Sequence, residues 1–542
     1  MHKSMLATLL IFLLISPGSA QMDEYTRKSI TFLDAVILAS SSSRDMSKRQ
    51  VDHTSAELKR MLQLERFDYN PISTNSKLMS NFNHQVRNSR DLSMSALAVI
   101  LNKTFVAEIV KIMDENAEIR ARELVDETAR MSFVTTKAKD LGITAENLEK
   151  VLNSGYIYLP FINGFAESME AKKEDDVMKY TSSVSISGGI LWFKIDYLDG
   201  STSVRPLLAK ETSSTGFAQK RNAREANWDA FTAAADNYAR NLEVATKEIE
   251  DFKLKTQVVE VTGSKIGFNM GRKEGIHIDD RFILGETVMG SDGQLSFKKD
   301  GFARVLTVGD NNINPGAISY GYGVIVGDWA PGMSLTEYPT LPLDIYGMLG
   351  VMPLSTDETG VELVSHFALG AEMAYNIGQL VNSSHWYLTL GASLGDAQMT
   401  EDAETLYGSI VYSDMSVMKR FQFLRLDAYA KGGFTYMATS LTDDRIVDEE
   451  EERTYTYTAE TIGAVFGAGV NLTLSIDWAI GLRYAYYMGN SETWTVKDDD
   501  DTDYDDMILN TSHTGESIMF QLVFTPKALG FNPVSALGNL SP

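Results

Sequence analysis

From Leu343 to Phe524 the apolar residues recur on every second position, the period of a strand with one greasy face and one polar face. Leu424, Leu426, Ala428, Ala430, Gly432 and Phe434 alternate with Arg425, Asp427, Tyr429, Lys431, Gly433 and Thr435. Ile462, Ala464, Phe466, Ala468, Val470 and Leu472 repeat the pattern, as do Trp478, Ile480, Leu482, Tyr484 and Tyr486, and then Ile518, Phe520, Leu522 and Phe524. Earlier sets are Ile345/Gly347/Leu349/Val351, Phe367/Leu369/Ala371/Met373 and Trp386/Leu388/Leu390/Ala392. A membrane helix needs about 18 consecutive apolar residues, and no stretch beyond the leader supplies them. If this chain spans a membrane, it does so as a barrel.

The polar face reads as enclosed. Asp344, Glu372, Arg425, Asp427, Lys431 and Arg483 mix both signs among glycines, as a narrow lumen filled by side chains requires. A soluble sandwich alternates too, but it points its polar face at open water and needs no charge pairing there. Trp386, Trp478, Tyr486 and Tyr487 suit interfacial girdles.

The connections alternate in length, counted from a periplasmic start. The expected long ones are 353–360, 395–404, 442–453 and 490–513, with short turns at 378–384, near 418–420 and at 475–477. Every acidic cluster falls in the long set: Asp357/Glu358, Glu401/Asp402/Glu404, Asp448 to Glu452, and Asp498 to Asp506. One rim is therefore strongly negative. These features resemble the small OmpA/OmpX-type barrels, which implies about eight antiparallel strands over 343–526. Such barrels often finish on an aromatic residue, whereas Phe524 is followed here by a tail, 527–542.

The first twenty residues read as an export leader: Lys3, an apolar run from Leu6 to Ile15, and the small residues Gly18-Ser19-Ala20 before Gln21. The chain has no cysteine, so thiolate metal sites, disulfides and a lipidated N-terminal cysteine are excluded. Its formal charge of −24 argues against nucleic acid as a partner and against a basic lipid-binding patch.

A chain of 542 residues leaves room for further domains between leader and barrel. A buried strand over Ser29–Ala39, a helix over Val51–Leu64, a strand near Phe67-Asp68-Tyr69, a helix over Met94–Met113 and a strand at Gly155–Leu159 are expected. A hairpin, Val184–Tyr197 with Ser203–Glu211, turns at Asp199-Gly200. Trp228, Phe231, Ala235, Tyr238, Leu242, Ala245 and Ile249 then make one apolar helical stripe, read as packing on its own sheet or as an oligomerisation helix. The Asn153-Ser154-Gly155-Tyr156-Ile157 strand, the hairpin and the following helix resemble the periplasmic domain of the curli secretion lipoprotein family. That resemblance implies an α/β domain at 21–255. Gly271-Arg272-Lys273-Glu274-Gly275, Ile278 to Phe282 and Val324 to Asp328 are similar to the small β modules that follow such domains, here 256–330. Asp279 stands where glycine is common. Pro331, Pro339 and Pro342 mark a linker, 331–342.

The expected architecture is thus multi-domain α+β: a periplasmic α/β domain, a small all-β module and a C-terminal eight-stranded transmembrane barrel.

Chemistry-bearing motifs are sparse. No phosphate loop, nucleophile elbow, zinc-protease helix or dinucleotide fingerprint occurs, and neither catalytic nor cofactor-binding residues are assigned. His513, Gly515 and Ser517 share a strand face, but Glu516, the nearby carboxylate, points the other way; a loop-edge histidine is the reading. Asp498, Asp500, Asp503 and Asp505 form a weak Ca²⁺ candidate without the EF-hand glycine and terminal glutamate, and a solvated loop is preferred. The mixed-sign lumen set reads as a salt-bridge plug rather than a pore lining.

The resulting expectation is a non-enzymatic outer-membrane protein anchoring periplasmic modules for envelope organisation, surface assembly or secretion. Its partners would be outer-membrane lipid, envelope or secretion proteins, and divalent cations at the acidic rim, with oligomers allowed. The alternatives are an oligomeric pore and a barrel-embedded lipid-modifying enzyme.

Overall fold

The computed structural model describes residues 27–33, 36–72, 76–89, 91–108, 111, 135–140, 155–174, 177–198, 201–289, 295–401, 404–448, 451–498 and 507–530. The leader, Asn153-Ser154, the Asp199-Gly200 turn, much of the acid-rich connections and the tail beyond Gly530 lie outside the described residues.

The N-terminal unit is one sheet covered on both faces. Strands β1 (Lys28–Leu33), β3 (Phe67–Ile72), β4 (Tyr156–Glu174), β5 (Val177–Leu198) and β6 (Ser201–Lys220) run in the order β3-β1-β4-β5-β6, with β2 (Ile37–Leu38) paired to β4. β1 is parallel to β3 and β4, and β4 to β6 are antiparallel. Helix α1 (Lys48–Leu62) makes the crossover to β3 and starts at a Ser47/Gln50 capping box. Helices α2 (Lys77–Asn88) and α3 (Met94–Leu101) bury Met79, Phe82, Leu97 and Leu101 against Ile157, Leu159, Leu191 and Phe193.

The opposite face takes α4 (Ala223–Lys247), whose Phe231, Ala235, Tyr238 and Leu242 pack on Tyr158, Ile162, Val184 and Ile186. Of the two readings of its stripe, packing on the home sheet is the observed one. The approach is close because Gly216 lacks a side chain: a Cβ there would sit 2.0 Å from the Ala230 carbonyl oxygen. One expectation is refined and one changes here. The expected Met94–Met113 helix carries a π segment, Asn102–Val106, after α3, and α-helix resumes at 107–108. The hairpin strands run far beyond their expected ends, because their outer halves are rich in Ser, Thr and Lys and show no apolar alternation.

The second unit is a closed six-stranded barrel: β7 (Lys255–Thr262), β8 (Lys265–Phe268), β9 (Arg281–Met289), β10 (Leu295–Thr307), β11 (Ser319–Ile325) and β12 (Ser334–Glu337). The expected linker thus supplies a strand. Ser334–Glu337 pairs with both β7 and β9, and without it the ring is open. Pro331 and Pro339 flank that strand rather than mark an unstructured connection.

The third unit begins at Leu343. β13 (Leu343–Gly350), β16 (Ala368–Asn376), β17 (Trp386–Glu401), β18 (Glu404–Phe423), β19 (Leu426–Asp448), β20 (Glu451–Thr473), β21 (Trp478–Met488) and β24 (Gly515–Phe524) pair antiparallel in sequence, and β24 returns to β13. The ladder closes on eight strands. Outward residues form an apolar belt, with Phe434 71% and Ile462 78% exposed, while Tyr429, Lys431 and Arg483 on the alternate positions are buried inside.

Above this ring the wall continues as a second storey. β17 to β20 extend upward, flanked by β15 (Val361–Val364) on β17 and by β22 (Asn490–Asp498), β23 (Met507–Ser512) and β14 (Ser355–Thr356) beyond β20. The short turn between β18 and β19 falls at Leu424-Arg425, not near 418–420.

Below, the small barrel sits against the lower mouth, the end where the chain enters β13. Arg66 of the α/β unit pairs with buried Glu337 of β12 (Nη2–Oε1 2.8 Å). Burial opposes the charge on Glu337, but Arg66 more than offsets it and holds the carboxyl below its ordinary pKa. After β24 the chain turns back: Lys527 pairs with Glu248, and the Leu529 carbonyl accepts from Asn237 and Asn241 of α4. All three units are thereby tied together.

Candidate functional site

The pairing register stacks the inward side chains of the large barrel in tiers. Asp344 near the foot of β13 accepts from Arg420 Nη1 of β18 at 2.6 Å and also from Thr525. Arg420 donates to the Tyr346 hydroxyl, lies 3.7 Å from Asp427 and stacks 3.9 Å over the Tyr387 ring. One layer up, Lys431 bridges Glu372 and Asp414, and Arg483 donates to Glu372 at 2.8 Å and approaches Asp414 at 3.6 Å. Between the layers Tyr429 donates to Gln521, which donates to Asn471.

The lower tier is completed from outside the barrel. Arg281 and Arg304 are cross-strand partners on β9 and β10 of the small barrel, so both guanidiniums point the same way, into the lower mouth. Arg281 donates to the Ile476 carbonyl, to Thr525 at 2.9 Å and to Asp344 at 3.3 Å. Arg304 donates to the Tyr387 hydroxyl at 3.1 Å. Beside them, Asp279 accepts at 2.8 Å from both Asn376 Nδ2 and the His385 backbone N–H. Asp279 and His385 both hold positive φ, 70° and 62°. That strain is retained because the carboxylate at this corner caps the β16–β17 turn of the neighbouring unit, which a glycine could not do. Burial depresses the His385 imidazole to about 4, despite Asp279 3.4 Å away.

The upper end closes differently. His513 Nε2 meets Thr439 Oγ1 at 2.8 Å, Ser517 donates to the Val351 carbonyl at 2.7 Å, and Tyr412 donates to Pro353. Above them the second storey holds an apolar core with Leu363, Met399, Leu441, Tyr457, Trp494, Val496 and Leu509. At the base, a void of about 30 Å³ lies among Arg281, Arg304 and Arg420, room for about two waters, and a cleft of about 250 Å³ beside it is lined in part by Arg281, Arg304, Asp344 and Tyr387.

Of the expected lumen residues, Asp344, Glu372, Asp427, Lys431 and Arg483 come together. Arg425 does not. It is exposed at the β18–β19 turn, because β18 runs on to Phe423 and puts Arg420 in the lumen instead. Asp414 and Arg420 were legible in principle: they fall on the inward parity of Tyr412-x-Asp414-x-Ser416-x-Met418-x-Arg420. Nothing in the pattern points to Arg281 or Arg304 entering the lumen. Tyr487, expected in a girdle, is buried inward, whereas Trp478 and Tyr486 are outward. His513 lies at the loop edge as expected, in the two-residue link between β23 and β24, but it is fully buried there, and its ring and the Ser517 hydroxyl are bonded to different groups. Within the Ca²⁺ candidate, Asp498 is buried with Arg453 3.8 Å away, and Asp500, Asp503 and Asp505 lie outside the described residues.

Residues 329–512 match the family model of the outer membrane protein beta-barrel domain. This part, about a third of the chain, is similar to outer-membrane β-barrel domains. Among solved structures, OprG of Pseudomonas aeruginosa is similar at 8% identity and a TM-score of 0.25, over 34% of this chain and 96% of that one. A major outer membrane protein of Thermus thermophilus follows at 11% identity and 0.24, over 34% and 99%. The outer membrane protease OmpT of Escherichia coli follows at 8% and 0.23, over 50% and 96%. No curated protein matches the chain.

Proposed function

We propose that this protein is a non-enzymatic outer-membrane anchor: its eight-stranded barrel crosses the membrane closed to ions and holds the α/β unit and the small barrel in the periplasm. The observation that carries the reading is the filled lumen. From the Arg281/Arg304/Arg420 base, through the Lys431/Arg483 layer, to the apolar core above, each level is occupied by packed or ion-paired side chains.

The strand lengths fit a crossing. A tilted transmembrane strand needs about 9–11 residues; β24 has 10 and β21 has 11, while β19 with 23 rises far above them. The acidic connections sit at that raised end, so they would face outside. The fixed contacts of Arg281, Arg304 and Tyr338 with the lower rim favour a rigid mount over a tethered domain. The α/β unit, with its parallel β1–β4 pairing, hairpin and covering helix, is consistent with the curli secretion resemblance and with a role in recruiting secretion or envelope-assembly proteins.

Planar-bilayer recording of the purified full-length protein tests this. Membranes that take up the protein without current agree with the proposal; a stable, reproducible conductance overturns it in favour of a pore.

A further inference from the structure

Strand β6 is the outermost of its sheet: β5 pairs with one side of its 20 residues, and among the described residues no strand is assigned to the other side. A long open edge is a template for pairing with another chain, and proteins cover it. The base of this one is covered. Asn102 closes it at Val204, its side-chain amide donating to the carbonyl at 2.9 Å and accepting from the N–H at 3.1 Å. Farther along, the Thr215 N–H donates to the Gly530 carbonyl at 2.5 Å. Thr215 therefore turns its backbone groups to the open edge, and by the period of two Phe217 and Gln219 do the same. Among the described residues, the N–H groups of those two have no backbone partner. The arriving segment also has a direction. Lys527 meets Glu248, and Leu529 is bonded to Asn241 and Asn237, so the segment follows α4 from its C-terminal end toward its N-terminal end. Because β6 ends at Lys220 and leads into the start of α4, that direction is parallel to β6.

The geometry points to residues 531–536 as a further strand of this sheet, parallel to β6 and continuing from the bond at Thr215. In a parallel ladder that starts there, Asn532 donates to the Thr215 carbonyl and accepts from Phe217, and Val534 donates to the Phe217 carbonyl and accepts from Gln219. Pro533 falls between them and faces away from β6, the position in a strand where a missing N–H costs nothing. Phe531 comes to lie diagonally beside Phe217, a ring 38% exposed without it. The added strand denies the β6 edge to other chains and ties the α/β unit to the end of the large barrel by main-chain bonds. This goes beyond the anchor reading and holds whether or not the barrel conducts.

The chain has no cysteine, so paired cysteines report this register directly. In the ladder Gln219 and Ser535 are neighbours on one face with Cα atoms about 5 Å apart, whereas Val534 turns to the other face. In the full-length protein, Gln219→Cys/Ser535→Cys is expected to oxidise to an intrachain disulfide, and Gln219→Cys/Val534→Cys to do so about tenfold more slowly. No disulfide in the first pair, equal rates in the two, or a disulfide-linked dimer in place of the intrachain loop overturns the proposal. A chain cut after Gly530 reads the same strand without new side chains. Amide exchange at Phe217 and Gln219 should then speed up about tenfold, while Gly216 and Ala218, which face β5, stay unchanged. Unaltered exchange at Phe217 and Gln219 overturns the proposal as well. Heat-modifiable gel migration reports that each barrel is folded; should the shortened chain fail there, Val534→Pro, which removes the donor to Phe217 in the full-length chain, takes its place and is read at Phe217 and Gln219 in the same way.

Discussion

At the scale of single residues, the lumen makes sharp distinctions between arginines and lysines that look alike in the sequence. Lys431 touches two carboxylates with its side chain fully buried, so Lys431→Met leaves Glu372 and Asp414 facing each other with only Arg483 between them. Loss of one partner from such a buried set costs about 3–5 kcal/mol, expected as a lower urea midpoint for unfolding of the barrel in detergent. Arg420→Ala should cost a similar amount. Arg425→Ala, at an exposed turn five residues on, should stay within about 0.5 kcal/mol. The contrast marks where sequence reading works. Parity along β19 places Asp427 and Lys431 inside, because one face must be greasy and the other enclosed. Parity cannot say where β18 stops, and a turn displaced by a few residues exchanges Arg420 for Arg425.

At the scale of elements, the small barrel's β9–β10 pair is the part that sequence pattern could not assign. Arg281 and Arg304 stand on strands that give the module's own core Phe282, Leu284, Ala303 and Val305; the arginines' partners are distant in the chain and carry no local signal. Replacing both with alanine removes the contacts to Ile476, Thr525, Asp344 and Tyr387. The module is then expected to undock while each barrel stays folded, visible as new protease cleavage around 338–342 with unchanged heat-modifiable migration. The Asp279–His385 corner adds a pH dependence. The imidazole, at about 4 when docked and about 6.5 when free, is held neutral by burial. Docking is therefore at full strength above about pH 6.5 and weakens as pH falls toward 4, by about 2 kcal/mol at pH 5. Cleavage in the same region should rise over that window, and His385→Asn should flatten the profile. The hairpin strands β4 to β6 were legible only in their inner halves, where apolar alternation exists, and not in their polar outer halves.

At the scale of the whole molecule, three units share one continuous set of contacts, with the segment after β24 returning to α4 to close it. Period-two alternation made the membrane barrel legible, because lipid on one side and a packed lumen on the other impose opposite chemistries on neighbouring residues. The docking of the other units was not legible, since it rests on long-range pairs such as Arg66–Glu337. The absence of cysteine makes the central claim open to a direct test. Single cysteines placed along β19 at Ala428, Ala430 and Phe434, and at Tyr429 and Met437, can each carry a spin label in a bilayer. The account predicts that labels at the first three collide freely with dissolved oxygen and hardly at all with a water-soluble nickel chelate, while labels at the other two are shielded from both. Nickel contact at Ala430 and Phe434 equal to that of a free label in water would contradict it.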